Sequence, residues 1–328
     1  MKVIIQIPCL NEEATLPSVL ASIPRSIPGV DELEIVVIDD GSTDRTSEVA
    51  RQFGVNHIIR HVRTMGLARS FADGVDYALS HGADIVVNTD GDNQYPQDRI
   101  SDLVQPIIRG DADIVIGDRQ TQTIAHFSPS KKALQKFGSG VVNVAASTDL
   151  PDAASGFRAY SRHSLFRLNV LTEFSYTMET IIQAGHKRLK IASIPVETNA
   201  KTRESRLFRS PWQHVLRSAE AISRSYLMFK PFVLFAALGS VMLVGALIPF
   251  IRYLFLLVTL GTDAGDHIQS LILGVAFLVG ALLSFALGVI AELMKTNRIL
   301  LEENLEATRR ILYGDHSSSR TMTEAPGA

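Results

Sequence analysis

The chain has 328 residues, 46% of them hydrophobic and 20% charged, with Lys plus Arg 32 against Asp plus Glu 34 and a net charge of −2. That balance excludes a nucleic-acid binder working by bulk positive charge, and the apolar fraction excludes a disordered chain. The single cysteine, Cys9, excludes an intramolecular disulfide framework and a Cys-cluster zinc site.

In chain order, Val3–Ile7 predicts a buried strand. The apolar run after Met1-Lys2 is too short before Pro8 for a signal peptide, so the N-terminal region is expected to stay in the cytoplasm, with Cys9 in its core. Glu12–Ile23 has helical spacing through Leu16, Val19, Leu20 and Ile23. Glu34–Ile38 predicts a strand stopped by Asp39-Asp40-Gly41-Ser42. A helix follows over Thr43–Phe53, with Ser42 and Thr43 as capping candidates. His57–Arg60 predicts a strand, Leu67–His81 a helix, Asp84–Asn88 a strand, Pro96–Arg109 a helix and Asp113–Gly117 a strand. Ser130–Ala145 reads as a helix bearing Lys131, Lys132 and Lys136, a solvated or membrane-facing stripe. Ser155–Tyr160 enters a strand or turn, and a helix around Tyr176–Ala184 and a strand at Lys190–Val196 complete the soluble part. No internal repeat is present.

The excess that gives a mean hydropathy of +0.15 lies in the last third. Phe232–Ile251 and Ile268–Ala291 are uncharged runs long enough to span a bilayer core of ~20 helical residues. Gly239, Ser240, Gly245, Gly274, Gly280, Ala281 and Gly288 would let two such helices approach closely. Arg209, Arg217, Arg224 and Lys230 precede the first run, and Lys295 and Arg298 follow the second. The connection at 261–267 carries Asp263 and Asp266 without Lys or Arg. Positive charge marks the cytoplasmic side, so both termini are expected there, in a multi-pass inner-membrane protein. Arg252 is expected to snorkel at the outer interface, with Tyr253–Leu260 along it or continuing a longer tilted span. The expected layout is a cytoplasmic α/β domain over 1–210, an interfacial amphipathic helix over 211–230 and two transmembrane helices within 231–293. An amphipathic helix over 294–314 and a disordered tail over 315–328 follow. The small-residue faces and the charged helix also suit self-association.

Continuous apolar strands separated by helices imply a mainly parallel, Rossmann-like sheet whose ligands bind at the strands' carboxyl ends. Those ends are Pro8–Glu13, Asp39–Asp44, Thr89–Tyr95 and Gly117–Arg119. Asp90 and Asp92, one residue apart at a strand end, repel each other unless a cation lies between them. A hard divalent cation, Mg²⁺ or Mn²⁺, takes one or two carboxylates plus substrate phosphates. The alternative for this segment is an acidic turn capping the next helix. Asp39 suits turn geometry. Arg158 suits a strand-end ion pair or a phosphate contact. Glu179 suits a structural role, stabilising an arginine of the 201–206 loop, or a catalytic one, and His126 and His186 read as structural.

The segments Ile7-Pro8-Cys9-Leu10-Asn11-Glu12-Glu13, Val37-Ile38-Asp39-Asp40-Gly41-Ser42-Thr43-Asp44 and Asp90-Gly91-Asp92 resemble the family 2 glycosyltransferases of the GT-A fold. Ser155-Gly156-Phe157-Arg158-Ala159-Tyr160 and Lys201-Thr202-Arg203-Glu204-Ser205-Arg206 resemble the branch that glycosylates polyprenyl phosphates, which holds dolichol-phosphate mannose synthases and undecaprenyl-phosphate glycosyltransferases. The resemblance implies that Pro8, Asn11, Glu12 and Asp40 line a nucleotide pocket, Asp40 hydrogen-bonding the base. It implies that Asp90 and Asp92 hold the metal bridging the diphosphate of a UDP- or GDP-sugar, with Gln94 beside it. Arg119 would meet donor or acceptor phosphate, and Arg203 and Arg206 would receive the phosphate of a polyprenyl lipid. The branch's R-x-x-G-x-S-K reads Arg203-Glu204-Ser205-Arg206 here, a departure that falls on Arg206. The reaction implied is an inverting, metal-dependent transfer of one hexose-type sugar at the cytoplasmic membrane face. The alternatives are a family member with another membrane acceptor and a non-catalytic membrane adaptor.

Overall fold

The computed structural model describes residues 1–120, 139–140, 142–143, 146, 148–170, 176–199, 231–260 and 268–314. Arg203, Arg206, the lysines at 131, 132 and 136, His126, the segments 211–230 and 261–267, and the tail 315–328 lie outside the described residues. The chain divides into two compact units, Met1–Ala219 with Glu303–Ala328, and Glu220–Glu302.

The first unit is built on a seven-stranded sheet of β1 (Lys2–Cys9), β2 (Glu32–Asp39), β3 (His57–Arg60), β4 (Ile85–Asn88), β5 (Ile114–Asp118), β6 (Arg158–Ser161) and β7 (Ile191–Pro195), in the order β3-β2-β1-β4-β6-β5-β7. All pairings are parallel except those of β6, which runs antiparallel to both β4 and β5. The sequence left Ser155–Tyr160 as strand or turn because its extended run is short and carries a charge.

β1 is an interior strand, and from Val3 to Cys9 every residue is buried. That is why Val-Ile-Ile-Gln-Ile reads as continuous rather than alternating. Ile5, Ile7 and Cys9 face the layer containing Leu16, Val19, Leu103 and Val104, from α1 (Leu16–Ser22) and α4 (Ile100–Ile108). On the other face Gln6 and Ile38 meet α3 (Leu67–Ser80) at Gly74. There Phe71 also stacks on Tyr176 and edges against Tyr160. Each fully buried Ile or Leu in these layers contributes roughly 1.5–3 kcal/mol of transfer free energy. Pro8 is tolerated in an interior strand because it lies beyond the last β1–β4 pair, Gln6–Asn88, where its missing N–H leaves no gap on that side.

α2 starts at Thr46 and runs to Gln52, later than its capping candidates predicted. Ser42 and Thr43 are consumed by loop contacts, and Asp44 Oδ1 accepts from Thr46 N at 3.0 Å. Two further helices close the unit, α5 (Arg162–Arg167) and α6 (Tyr176–His186).

The second unit contains α7 (Pro231–Leu260) and most of α8 (Ile268–Tyr313). Both are long and apolar enough to cross a membrane, and most of their apolar surface is exposed. α7 continues through Arg252 to Leu260. α8 is unbroken beyond Ala291, since no Gly or Pro interrupts its good helix formers before Tyr313. The two helices meet along a seam of glycine against large side chains. Gly239 faces Phe285, Gly274 faces Phe250, Gly280 faces Met242, and Gly288 faces Phe232 and Phe235. Ser240, expected on this seam, is exposed instead.

From Glu303 onward α8 belongs to the first unit. Arg309 Nη1 donates to Leu168 O at 2.7 Å, and Arg162 Nη2 donates to Tyr313 O at 2.7 Å. A guanidinium on the last carbonyls satisfies a helix terminus and complements its dipole.

Candidate functional site

From β1 the chain steps outward to β2 and β3, then returns across β1 to lay down β4 on its other side. The reversal between β1 and β4 opens a crevice beyond their carboxyl ends, where ligands of such sheets bind. Asn11 and Asn93, both in the left-handed region (φ 55 and 59), turn the chain just beyond those two strands.

The loops after β1 and β2 are stitched together. Asn11 N donates to Ser42 Oγ at 2.9 Å, and Thr43 N donates to Asn11 Oδ1 at 2.8 Å. Glu12 N donates to Thr46 Oγ1 at 2.8 Å, and Glu13 N to Asp44 Oδ2 at 3.1 Å. Asp39, fully buried, accepts from Ser42 N at 2.8 Å and from the Ser47 hydroxyl, the turn role its position suggested. Asp40 accepts from Met65 N at 2.7 Å and Gly66 N at 2.9 Å, and His61 Nδ1 lies 2.7 Å from its Oδ1. Thus the side chains of Asn11 and Asp40 also organise the loops around the crevice.

The acidic loop after β4 is held at several points. Gly91 O accepts from Thr15 Oγ1 at 2.8 Å, and the same hydroxyl reaches Glu12 Oε2 at 2.7 Å. Asp92 Oδ1 accepts from Gln94 N at 3.1 Å. The carbonyls of Asn93, Gln94 and Tyr95 all accept from Asn199: its Nδ2 reaches Asn93 O at 3.0 Å and Tyr95 O at 3.3 Å, and its N–H reaches Gln94 O at 2.9 Å. Asn199 lies just past β7, four residues before Arg203.

Behind Asp90, the chain comes close at Gly156. A Cβ there would lie 3.2 Å from Asp90 Oδ2 and 3.0 Å from the Tyr176 hydroxyl, tight contacts that would press on the carboxylate. Gly156 N donates to Tyr95 Oη at 3.0 Å, and Asn88 Nδ2 bridges Gly156 O at 2.9 Å and Tyr176 Oη at 2.8 Å. Burial pushes the Tyr95 phenol up to about 12, keeping it a neutral hydrogen-bonding group. Among the described residues no cluster of three or more His, Cys, Asp or Glu could hold a metal ion. Asp90 and Asp92, the two carboxylates of the loop after β4, are oxygen donors of the type that suits a hard divalent cation, whose remaining positions phosphate oxygens or water would complete.

Arg119, just past β5, is paired with Asp152. Its Nε lies 2.6 Å from Oδ2 and its Nη2 2.9 Å from Oδ1, a bidentate fork with both partners largely buried. Burial works to raise the Asp152 carboxyl, but the Arg119 bonds and charge outweigh it and hold it below the usual carboxylate range. Asp152 was missed in the sequence; the signal available was one charge inside the apolar stretch Leu150–Gly156. Arg158 does not form the expected strand-end ion pair among the described residues. It is fully buried, and its partners among the described residues are Ser155 O, Thr177 O, Thr180 Oγ1 and Ala153 O, with no carboxylate among them. Glu179 is buried on α6, with Gln183 Nε2 3.4 Å from its Oε1.

The pattern described as "Glycosyl transferase family 2" matches residues 4–167, half of the chain. The chain is similar to the dolichyl-phosphate hexose transferase of Haloferax volcanii, at 29% identity over 197 residues covering 60% of this chain and 82% of that one. It is similar to the undecaprenyl-phosphate mannosyltransferase of Micrococcus luteus, at 27% identity covering 60% and 83%. Its fold is similar to that of the glucosyl-3-phosphoglycerate synthase of Mycobacterium tuberculosis, solved with Mn²⁺, uridine diphosphate and phosphoglyceric acid. There the TM-score is 0.54 and the identity 21%, covering 69% of this chain and 77% of that one.

Proposed function

The chain belongs to glycosyltransferase family 2, and from that premise we infer that it moves one hexose-type sugar from a UDP- or GDP-sugar to a polyprenyl phosphate at the cytoplasmic face of a membrane. The observation that carries this reading is the acidic loop of β4 at the sheet's reversal point, fixed on one side by Thr15 and on the other by Asn199. The lipid acceptor is supported by the relatives' names and by two helices able to cross a bilayer.

Asp90 and Asp92 are the residues proposed to hold Mg²⁺ or Mn²⁺, with Gln94 beside them. When bound, such an ion neutralises charge on the departing nucleoside diphosphate. Pro8, Asn11, Glu12 and Asp40 line the nucleotide side of the crevice in this reading, Asp40 nearest the base. Arg119 stabilises phosphate charge while Asp152 fixes its plane. Arg203 and Arg206 are proposed to grip the lipid phosphate. A phosphate monoester carries its second pKa near 6, so the acceptor is already an anionic nucleophile at neutral pH. No general base is required, and catalysis rests on alignment and electrostatics. Attack on the face opposite the nucleotide inverts the anomeric centre.

The test is a panel of the purified full chain in detergent with undecaprenyl phosphate, Mg²⁺ or Mn²⁺, and UDP- and GDP-sugars. Sugar–lipid product with at least one donor is expected. It should be lost on chelation and fall about 100-fold or more in Asp90→Asn and Asp92→Asn. Transfer to a diacylglycerol or glycan with none to polyprenyl phosphate would move the chain to another acceptor. Absence of turnover with any donor would make it an adaptor.

A further inference from the structure

The reading of Asp40 as a nucleotide-pocket residue leaves open what fixes its carboxylate. His61, immediately past β3, has a ring only 10% exposed, with Nδ1 2.7 Å from Asp40 Oδ1 and Nε2 3.0 Å from Asp73 Oδ2. Asp73 lies on α3 and is gripped by Arg69 one turn earlier, through Nε at 3.0 Å and Nη2 at 2.8 Å. The two Asp40 oxygens also accept the Met65 and Gly66 N–H groups, where the loop enters α3. A strand-end carboxylate is free to turn about its last torsion. Donors from two directions remove that freedom, and a third group orienting the imidazole sets where the imidazole points.

We propose that His61 is a positioning residue for nucleotide recognition. The relay Arg69–Asp73–His61 locks the Asp40 carboxylate and the 61–66 loop in the orientation that accepts the nucleotide. The inference rests on the reading of Asp40 given above. β2, which ends at Asp39, and β4, which ends at Asn88 before the acidic loop, are separated by β1 alone, about 10 Å by strand spacing. A defect in the relay therefore falls on nucleotide binding and not on the sugar-transfer step.

The experiment uses the full chain in detergent, with UDP and GDP affinity measured by calorimetry and KM and kcat measured for the donor. His61→Gln is expected to weaken nucleotide affinity and raise the donor KM by about 10-fold each, the scale of one lost charge-assisted hydrogen bond, with the loss on KM rather than kcat. Asp73→Asn should move the same quantities in the same direction. In an Asp40→Asn background His61→Gln should add no further loss, because both act through one carboxylate. A merely structural His61 would lower the melting temperature in both backgrounds and depress kcat with KM. Unchanged affinity in His61→Gln, or losses that add to those of Asp40→Asn, overturns the proposal. If Asp40→Asn itself keeps full affinity, the reading of Asp40 fails first. If Asp40→Asn weakens binding and His61→Gln does not, only the relay is wrong. Should His61→Gln not fold, Arg69→Gln, at the exposed end of the relay, must raise KM in the same sense or the proposal falls.

Discussion

Arg158 brings a guanidinium to a place without exposure and meets four neutral acceptors there. Its five donors suit a fork of carbonyls as well as a carboxylate, so the residue ties loop 153–155 to the first turns of α6. Sequence position alone cannot separate that use from a phosphate contact, because both need an arginine at a strand end. Arg119, also at a strand end, has a carboxylate partner in Asp152. Removing one partner of a buried pair leaves the other charge uncompensated, so Asp152→Asn is expected to cost about 3–5 kcal/mol near neutral pH. The Asp152 carboxyl is depressed in the fold, so its contribution is present above its unfolded value of about 3.9 and disappears as pH falls through the folded value. Melting curves of wild type and variant at pH 7 and near pH 3 check this. The gap should narrow in acid, and a gap independent of pH would show that the pair is not the source.

At the scale of elements, periodicity placed β1, β3 and α3 within a residue or two, since each is a long apolar pattern or is bounded by Gly and polar residues. The later start of α2 was decided by another segment. Ser42 and Thr43 cannot cap a helix while they hold the loop after β1. Asn199 likewise carries no local signal; it is one polar residue beyond an edge strand, and only the fold sets it against three consecutive carbonyls. Asn199→Ala keeps the N–H bond to Gln94 O and removes both side-chain bonds. It is expected to weaken Mn²⁺ binding in the presence of UDP by about 3- to 10-fold, the scale of one net hydrogen bond. Manganese titration followed by spin resonance reads this directly, and unaltered Mn²⁺ affinity would remove Asn199 from any role in shaping the acidic loop. The glycine seam of the apolar pair gives a second element-level expectation. Gly239→Val must displace Phe285, whose ring lies 3.0 Å from the Cβ position. Oxidative cross-linking of Met242→Cys with Ser284→Cys, side chains that touch at 3.8 Å in the native chain, should then fall several-fold. Equal cross-linking with and without the valine would rule this seam out.

For the whole molecule, the charge asymmetry predicts that both ends of the chain face the cytoplasm: the basic residues flank the apolar pair, and the connection at 261–267 carries Asp263 and Asp266. Reporter domains fused at either end should be active only in their cytoplasmic form, and Asp263→Lys with Asp266→Lys should erode that bias. A terminus reporting from the outer side would refute the orientation. The sequence by itself determined the α/β class, the order of strand and helix from β1 to β5, the acidic strand tips and the apolar pair. Each of those is written locally, as a periodicity, a run length or a short motif at a strand end. The antiparallel insertion of β6, the pairing of Arg119 with Asp152, the burial of Arg158 among carbonyls and the His61 bridge were decided only by tertiary structure. Each depends on groups brought together from separate elements, and no local pattern records which distant partner a polar side chain meets once the sheet has folded.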